Sequence, residues 1–182
     1  DMIIALSGHF RYMFRKSRSL VLLKEELEEV QDYCRIYNIR NGIPLLVDMD
    51  VSKSEMLCKV PILCIQTFVE NAIKYYGKNG QMLQVRIQIR RIKKEYKKEF
   101  LKIRITDNGV GYTKENLDEF NKPVDKFVYK SSHVGIDNLK YRFKLIFENE
   151  ADIYFYNAPY SGAVVEMTIP AKEDDSDENI NN

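Results

Sequence analysis

A carboxylate followed by two glycines, Asp107-Asn108-Gly109-Val110-Gly111, closes a run in which Leu101, Ile103 and Ile105 alternate with Lys102, Arg104 and Thr106. That two-residue period marks a strand with one buried face and puts Asp107 at the strand's end. A carboxylate held there can accept a hydrogen bond from an exocyclic amine such as adenine N6. Gly109 and Gly111 permit positive φ and let a ligand approach the backbone. An ordinary Asp-Asn-Gly hairpin turn would use the same residues for backbone reasons alone, so on the pentapeptide both readings stand.

A second constellation is Glu70, Asn71, Lys74 and Tyr75. The spacing predicts a helix from Pro61, which at the first helical position loses no needed N–H, to about Tyr76. Its apolar residues Ile62, Leu63, Ile65, Phe68, Val69, Ala72 and Ile73 cover a wide face, so Glu70 and Asn71 within it require an explanation. The i, i+4 relation puts Glu70 with Lys74 and Asn71 with Tyr75. An amide oxygen can complete an Mg²⁺ shell of waters and phosphate oxygens, a lysine can meet phosphate, and a ring can lie against a base. The alternative is a solvated Glu–Lys pair with an incidental Asn. Gly135 stands at a predicted helix start, where free N–H groups favour an anion. The aperiodic stretch 121–133, with Lys122, Lys126 and Lys130, is expected to be a mobile loop able to fold over the same anion. Each of these has a plain alternative, a turn glycine and a solvated loop.

The elements that must hold these groups follow from periodicity. Residues 2–18 and then about Leu23 to Ile39 predict two amphipathic helices before any strand, a hairpin or stalk able to pair with another chain. In the second, Leu23, Leu27, Val30, Cys34 and Tyr37 form the apolar stripe, with Lys24, Glu25, Glu28 and Glu29 opposite. Ile43 to Val51, with Pro44, predicts an edge strand. Leu83, Val85, Ile87 and Ile89 alternate with Gln84, Arg86, Gln88 and Arg90, a strand with one solvated face, joined by the charged turn 93–98 to the strand ending at Asp107. A short helix over Thr113 to Phe120, a helix from Gly135 with Ile136, Leu139, Phe143, Ile146 and Phe147 inward, and a hairpin pairing Asp152–Tyr156 with Val164–Ile169 complete the order.

The 182 residues suffice for one domain with a helical appendage, and 45% of them are hydrophobic. Net charge is +1, but the tail from Glu173 to Glu178 carries five acidic residues, leaving a mildly basic body of about +6. That suits a phosphate-bearing ligand and is too diffuse for nucleic acid. The tail, rich in Asp, Glu and Asn, is expected to be disordered. Cys34, Cys58 and Cys64 show no metal-binding spacing, as expected of reduced thiols. No apolar run approaches the length of a membrane span, and no secretory leader opens the chain. The start at Asp1 points to a piece of a longer protein.

Taken together and in order, three stretches resemble the N, G1 and G2 boxes of the GHKL ATP-binding domain. They are Pro61-x-Leu63-xx-Gln66-xx-Val69-Glu70-Asn71-Ala72-Ile73-Lys74, then Asp107 to Gly111, then Val134-Gly135-Ile136-Asp137-Asn138-Leu139-xx-Arg142. Leu6-Ser7-xxx-Arg11-Tyr12, Leu23-x-Glu25-Glu26-Leu27-xxxxx-Tyr33 and Ile36-xxx-Arg40 are similar to the linker of the LytS/YesM-like sensor histidine kinases. The resemblance implies a Bergerat α/β (α+β) two-layer sandwich: a mixed, mostly antiparallel sheet with helices on one face, preceded by N-terminal helices. It implies a helical dimerisation and linker segment over 1–40, an ATP-binding catalytic domain over 41–172 and the acidic tail over 173–182.

By the same resemblance Asp107 holds the adenine amine and Asn71 ligates Mg²⁺. Lys74 and Tyr75 flank phosphate and base, Gly109, Gly111 and Gly135 shape the lid hinges, and Asn138 belongs to the nucleotide site. Glu70, in the N-box acid position, polarises the imidazole that attacks the γ-phosphoryl group. The implied partners are ATP, a response regulator receiver domain and a second copy in the full-length protein, with no nucleic acid and no membrane contact within this piece. The implied location is the cytoplasmic portion of a bacterial membrane sensor. Three positions depart from the pattern: His133 replaces the first G2 glycine, Ala163 follows Gly162 where a threonine lines the adenine pocket, and Tyr75 replaces a histidine. His9-Phe10 is superficially similar to the acceptor motif, but its neighbours align downstream of it. The acceptor is therefore expected upstream of Asp1, and this piece is expected to bind ATP without phosphorylating itself. The alternative is a degenerate module acting as an interaction scaffold, suggested by His133 and Ala163; an ATPase-driven clamp would need a transducer domain that this chain does not supply.

Overall fold

The computed structural model describes residues 19–41, 44–76, 82–93, 98–123 and 134–172. The expected first helix, the lysine-bearing stretch from 124 to His133 and the acidic tail lie outside them. A sheet of five strands forms the frame, in the order β2, β4, β5, β7, β6: β2 is Leu45–Asp50, β4 Leu83–Lys93, β5 Glu99–Asp107, β6 Asp152–Asn157 and β7 Ala163–Pro170. Only the β2–β4 pair is parallel, so the sheet is mixed and mostly antiparallel, with β2 at an edge as its proline-flanked sequence requires.

Alternation decides which sheet face is dry. Val85, Ile87 and Ile89 of β4, Leu101, Ile103 and Ile105 of β5, and Val165, Met167 and Ile169 of β7 are all buried in one core with the helices. The other face carries cross-strand ion pairs, among them Arg86 with Asp48 at 3.2 Å and Arg104 with Glu166 at 2.8 Å. Among the described residues four helices supply the second layer: α1 (Leu23–Asn41), α2 (Gln66–Tyr75), α3 (Lys114–Phe120) and α4 (Val134–Phe147). The heptad-like positions Leu23, Leu27, Val30 and Cys34 of α1 and Ile136, Leu139, Phe143 and Phe147 of α4 are buried, as their spacing predicts.

Three expectations are corrected here. A short strand, β1 (Leu20–Leu22), precedes α1 and pairs antiparallel with β3 (Lys59–Pro61), so no pair of helices runs uninterrupted before the first strand. Pro61 therefore ends a strand, paired with Leu20, and α2 begins at Gln66 after a turn in which Leu63 has a φ of 60°. Glu29, placed by the apolar stripe on the solvated side of α1, is buried together with Glu26. The reason is that β1, β3, α2 and a 3₁₀ turn at Glu55–Leu57 pack on α1 along with the edge of the main sheet, covering more than one stripe.

The buried Glu26 explains how α2 starts without a local cap. Ile65 stands at the N-cap position and offers no side-chain acceptor. Glu26 supplies it from α1: Oε2 accepts from the Leu63 N–H at 2.8 Å, and Oε1 from those of Ile65 and Gln66 at 2.9 and 3.2 Å. A carboxylate there also meets the positive end of the α2 dipole. Glu26→Ala strands these buried donors and should cost about 3 kcal/mol, lowering Tm by about 6–12 °C at this chain length. Glu28→Ala removes only an exposed partner of Lys24 and should stay within about 0.5 kcal/mol; thermal melts of the two variants check the contrast.

Candidate functional site

Between α2 and the end of β5 lies a cavity of about 200 Å³. Phe68, Asn71, Ala72 and Tyr75 line it from α2; Asp107, Gly109, Val110, Gly111 and Tyr112 from the end of β5 and the turn that follows. Thr113, Asn116 and Phe120 add the α3 side, with Ile136 of α4 and Ala163 of β7. A mostly apolar cleft with a few convergent polar groups is the ordinary form of a small-molecule site.

Asp107 sits where β5 runs between two neighbours, opposite Val85 of β4 and next to the start of β7. Its Oδ1 accepts hydrogen bonds from the N–H groups of Gly109 at 2.8 Å and Ala163 at 3.1 Å. Oδ2 accepts none from the described residues. Burial pushes the Asp107 carboxyl above its ordinary pKa, opposed by those two N–H donors. The carboxylate is thus oriented by backbone, with one oxygen available to a donor in the cavity.

The turn after Asp107 is not a hairpin, because the chain proceeds to α3. It is fixed from several sides. Asn108 accepts from the Gln84 N–H at 2.9 Å and donates to the Met82 carbonyl at 2.9 Å, locking the turn to the start of β4. Asn157 brackets Tyr112, accepting from its N–H at 2.7 Å and donating to its carbonyl at 2.9 Å, while the Ser161 hydroxyl donates to the Gly109 carbonyl at 2.7 Å. Gly111 has a φ of +79°, as expected. Gly109 does not adopt positive φ; its constraint is space, since a Cβ there would lie 3.0 Å from Asp107 Oδ1. Gly162 is stricter, with a φ of +102° and its Cβ position 1.8 Å from the Asp107 carbonyl oxygen.

Sequence reasoning missed the aromatic wall. Tyr112 packs edge-on against Phe120 at 5.5 Å and Phe155 at 5.9 Å, and Phe155 in turn meets Phe68 at 5.8 Å. Burial raises the Tyr112 pKa well above its ordinary value, with the charge of Asp107 as the second cause. Asn121 holds Phe155 by accepting from its N–H and donating to its carbonyl, both at 2.9 Å. Lys140 of α4 donates to the carbonyls of Phe120 and Lys122 at 2.6 and 2.5 Å, closing the end of α3. A strand-end Asn ahead of a Pro-Gly turn was the one visible signal for Asn157.

Of the residues singled out in the sequence, Asn71, Tyr75, Asp107, Gly109 and Gly111 come together around the cavity. The Asn71 amide makes no hydrogen bond among the described residues and stands on the cavity wall. Tyr75 is half exposed, with Lys74 Nζ 5.0 Å from its ring centre. Glu70, Lys74, Gly135 and Asn138 are exposed and outside the lining. Glu70 and Lys74 form no ion pair; Glu70 instead accepts from Gln66 Nε2 at 2.8 Å. Gly135 is the second residue of α4, with room for a Cβ at 3.6 Å from a Thr67 methyl. His133 lies outside the described residues.

The sequence model of the "Histidine kinase-, DNA gyrase B-, and HSP90-like ATPase" family matches residues 61–173, and a "Histidine kinase" model matches residues 1–45. A sensor-like histidine kinase of Staphylococcus epidermidis is 27% identical over 93% of this chain and 32% of its own length. The sensor protein kinase HptS of Staphylococcus aureus is 24% identical over 91% of this chain and 31% of its own. The chain thus spans about a third of the length of these relatives. In fold it is similar to the mycobacterial sensor histidine kinase MprB, with a TM-score of 0.56, 14% identity and coverage of 85% of this chain and 98% of that one. The catalytic domain of histidine kinase ThkA gives a TM-score of 0.53 at 19% identity, covering 85% and 97%.

The geometry separates the glycines by experiment. Gly162→Ala must displace the Asp107 backbone and should cost at least ~3 kcal/mol, a fall in Tm of about 6–12 °C or more. Gly135→Ala, inside a helix and with space around it, should instead stabilise by about 0.5–1 kcal/mol. Paired thermal melts read the difference.

Proposed function

The chain belongs to the histidine kinase-, DNA gyrase B- and HSP90-like ATPase family, and we propose that it is the ATP-binding catalytic region of a two-component sensor histidine kinase. The observation that carries the reading is the Asp107 carboxylate, one oxygen tied to the Gly109 and Ala163 N–H groups and the other left to the cavity. An adenine amine donates to that second oxygen, and the apolar walls from Phe68, Ala72 and Ile136 exclude water around the base. Tyr75 lies at the rim as a ring for the purine, with Lys74 beside it for phosphate. Gly109 and Gly111 keep the turn close to the nucleotide, and Gly135 and Asn138, at the start of α4, are assigned to the phosphates. Phosphoryl transfer asks a protein mainly for positioning and electrostatics, which is what such a pocket supplies.

Mg²⁺ fits the residues present. Among the described residues there is no group of three His, Cys, Asp or Glu able to hold a metal ion, but Mg²⁺ keeps waters and takes phosphate oxygens, so one protein oxygen suffices. Asn71, with its amide uncommitted on the cavity wall, would provide it; the ion supplies neutralisation of phosphate charge when bound.

In this reading Glu70 polarises the acceptor imidazole and the γ-phosphoryl group passes to a histidine outside this piece, then to a response regulator receiver domain. Residues 1–40 form the dimerisation and linker segment of a homodimer, 41–172 the ATP-binding domain and 173–182 a tail. No described helix is long and apolar enough to cross a membrane; we place the region on the cytoplasmic side of a membrane sensor. No specific observation favours the scaffold alternative: at Ala163 the backbone N–H, present whatever the side chain, serves Asp107.

Asp107→Asn tests the reading. Asn Oδ1 can still accept from Gly109 and Ala163, so Tm should move little, but its amide group faces the adenine amine donor with a donor. ATP affinity by calorimetry should fall about 10- to 150-fold, the worth of a hydrogen bond to a charged group. Unchanged affinity would remove Asp107 from the site. Asn71→Ala should abolish the gain in affinity that Mg²⁺ gives.

A further inference from the structure

Gln66 is only 1% exposed, yet its amide is half used. Nε2 donates to Glu70 Oε1 at 2.8 Å, while Oε1 is buried with no hydrogen-bond partner among the described residues. An unmet buried acceptor is unfavourable, and a methionine or leucine of similar size would avoid it. What the amide does that a hydrocarbon cannot is to hold Glu70, an otherwise exposed side chain with no other hydrogen bond among the described residues. Gln66 is itself fixed, since its backbone N–H is one of those held by Glu26 of α1. The charge of Glu70 is also felt at Tyr33 of α1, whose pKa is pushed up to about 12, first by burial and second by that charge. None of these contacts belongs to the nucleotide cavity.

We propose that Gln66 is a positioning residue for phosphoryl transfer, aiming the Glu70 carboxylate from a base anchored to the linker helix through Glu26. The proposal rests on the reading of Glu70 as the group that polarises the acceptor imidazole. A flexible surface glutamate samples several rotamers, and one hydrogen bond from a rigid buried donor narrows that set before the histidine arrives. The effect therefore belongs to the transfer step and not to ATP binding.

The test is a double-mutant cycle in the full-length protein, with Gln66→Met, Glu70→Gln and the pair, reading autophosphorylation from labelled ATP, ATP Kd by calorimetry and Tm. Gln66→Met should slow phosphorylation about 10- to 100-fold with Kd within about twofold, and the pair should be no slower than Glu70→Gln alone, because Gln66 acts through Glu70. Multiplicative slowing in the pair, a wild-type rate in Gln66→Met beside a slow Glu70→Gln, or a loss accounted for by Kd overturns the positioning role while leaving the kinase reading intact. A wild-type rate in Glu70→Gln overturns the role of Glu70 itself, and the proposal with it. Should Gln66→Met lose its cooperative melt, Gln66→Asn, which keeps the amide but withdraws it by one methylene, takes its place in the same cycle with the same outcomes.

Discussion

Everything at the site depends on how Asp107 divides its two oxygens. Oδ1 is spent on the protein, joining the turn after β5 to the first residue of β7 through two N–H donors. That fixes the plane of the carboxylate and with it the direction in which Oδ2 can accept. Without those donors the group would face only the cost of burial, which already lifts its pKa, and would find relief by protonation or rotation. The same constraint dictates the glycines: a Cβ at 109 would press on Oδ1, and one at 162 would strike the Asp107 carbonyl. The Asp107 carboxylate and the backbone around it are one unit.

Helix α2 connects this unit to the rest of the molecule by having two working faces. Asn71, Ala72 and Tyr75 look onto the cavity, whereas Gln66 and Glu70 lie outside its lining and are bonded to each other. The apolar residues Phe68 and Val69 bury the helix between. A helix ten residues long has little intrinsic stability, so the accuracy with which it presents either face depends on what holds its ends and its buried stripe. The aromatic set of Phe68, Phe155, Tyr112 and Phe120 serves the stripe, tying α2 to β6 and α3 by edge-on and tilted ring contacts.

How much of this was legible beforehand follows from range. The strands around Asp107, the β6–β7 hairpin and the buried faces of α1 and α4 could be read because period two and period 3.6 are local signals. Asp107 was legible for the same reason, as a charge ending an alternating run, and Asn71 as an amide in an apolar helix. Pro61 was misread because a proline before an apolar run looks the same whether it opens a helix or ends a strand. Only the partner strand at Leu20–Leu22, in which Leu20 lies 41 positions before Pro61, distinguishes the two. Tyr112 and Asn157, and Glu26 and Gln66, are pairs 45 and 40 residues apart, and nothing in composition or spacing says which distant residues will meet. Glu29 was placed in solvent because a helical stripe counts one covering surface where the fold supplies several.

The cap from Glu26 also explains why the connection into α2 tolerates an unfavourable backbone. Leu63, a residue with a Cβ, adopts a φ of 60°, a conformation that costs a γ-branched residue on the order of 1–2 kcal/mol. A glycine would relieve this, but would leave the turn free to vary. With leucine the bend is paid for by hydrogen bonds on both sides of it: Leu63, Ile65 and Gln66 donate to Glu26, and the Ile62 carbonyl accepts from Arg142 of α4. Each such bond to a charged group contributes about 1.5–3 kcal/mol, so together they exceed the strain. The bend is therefore held from α1 and α4 together, which makes the entry angle of α2 a property of three elements and not of its own sequence.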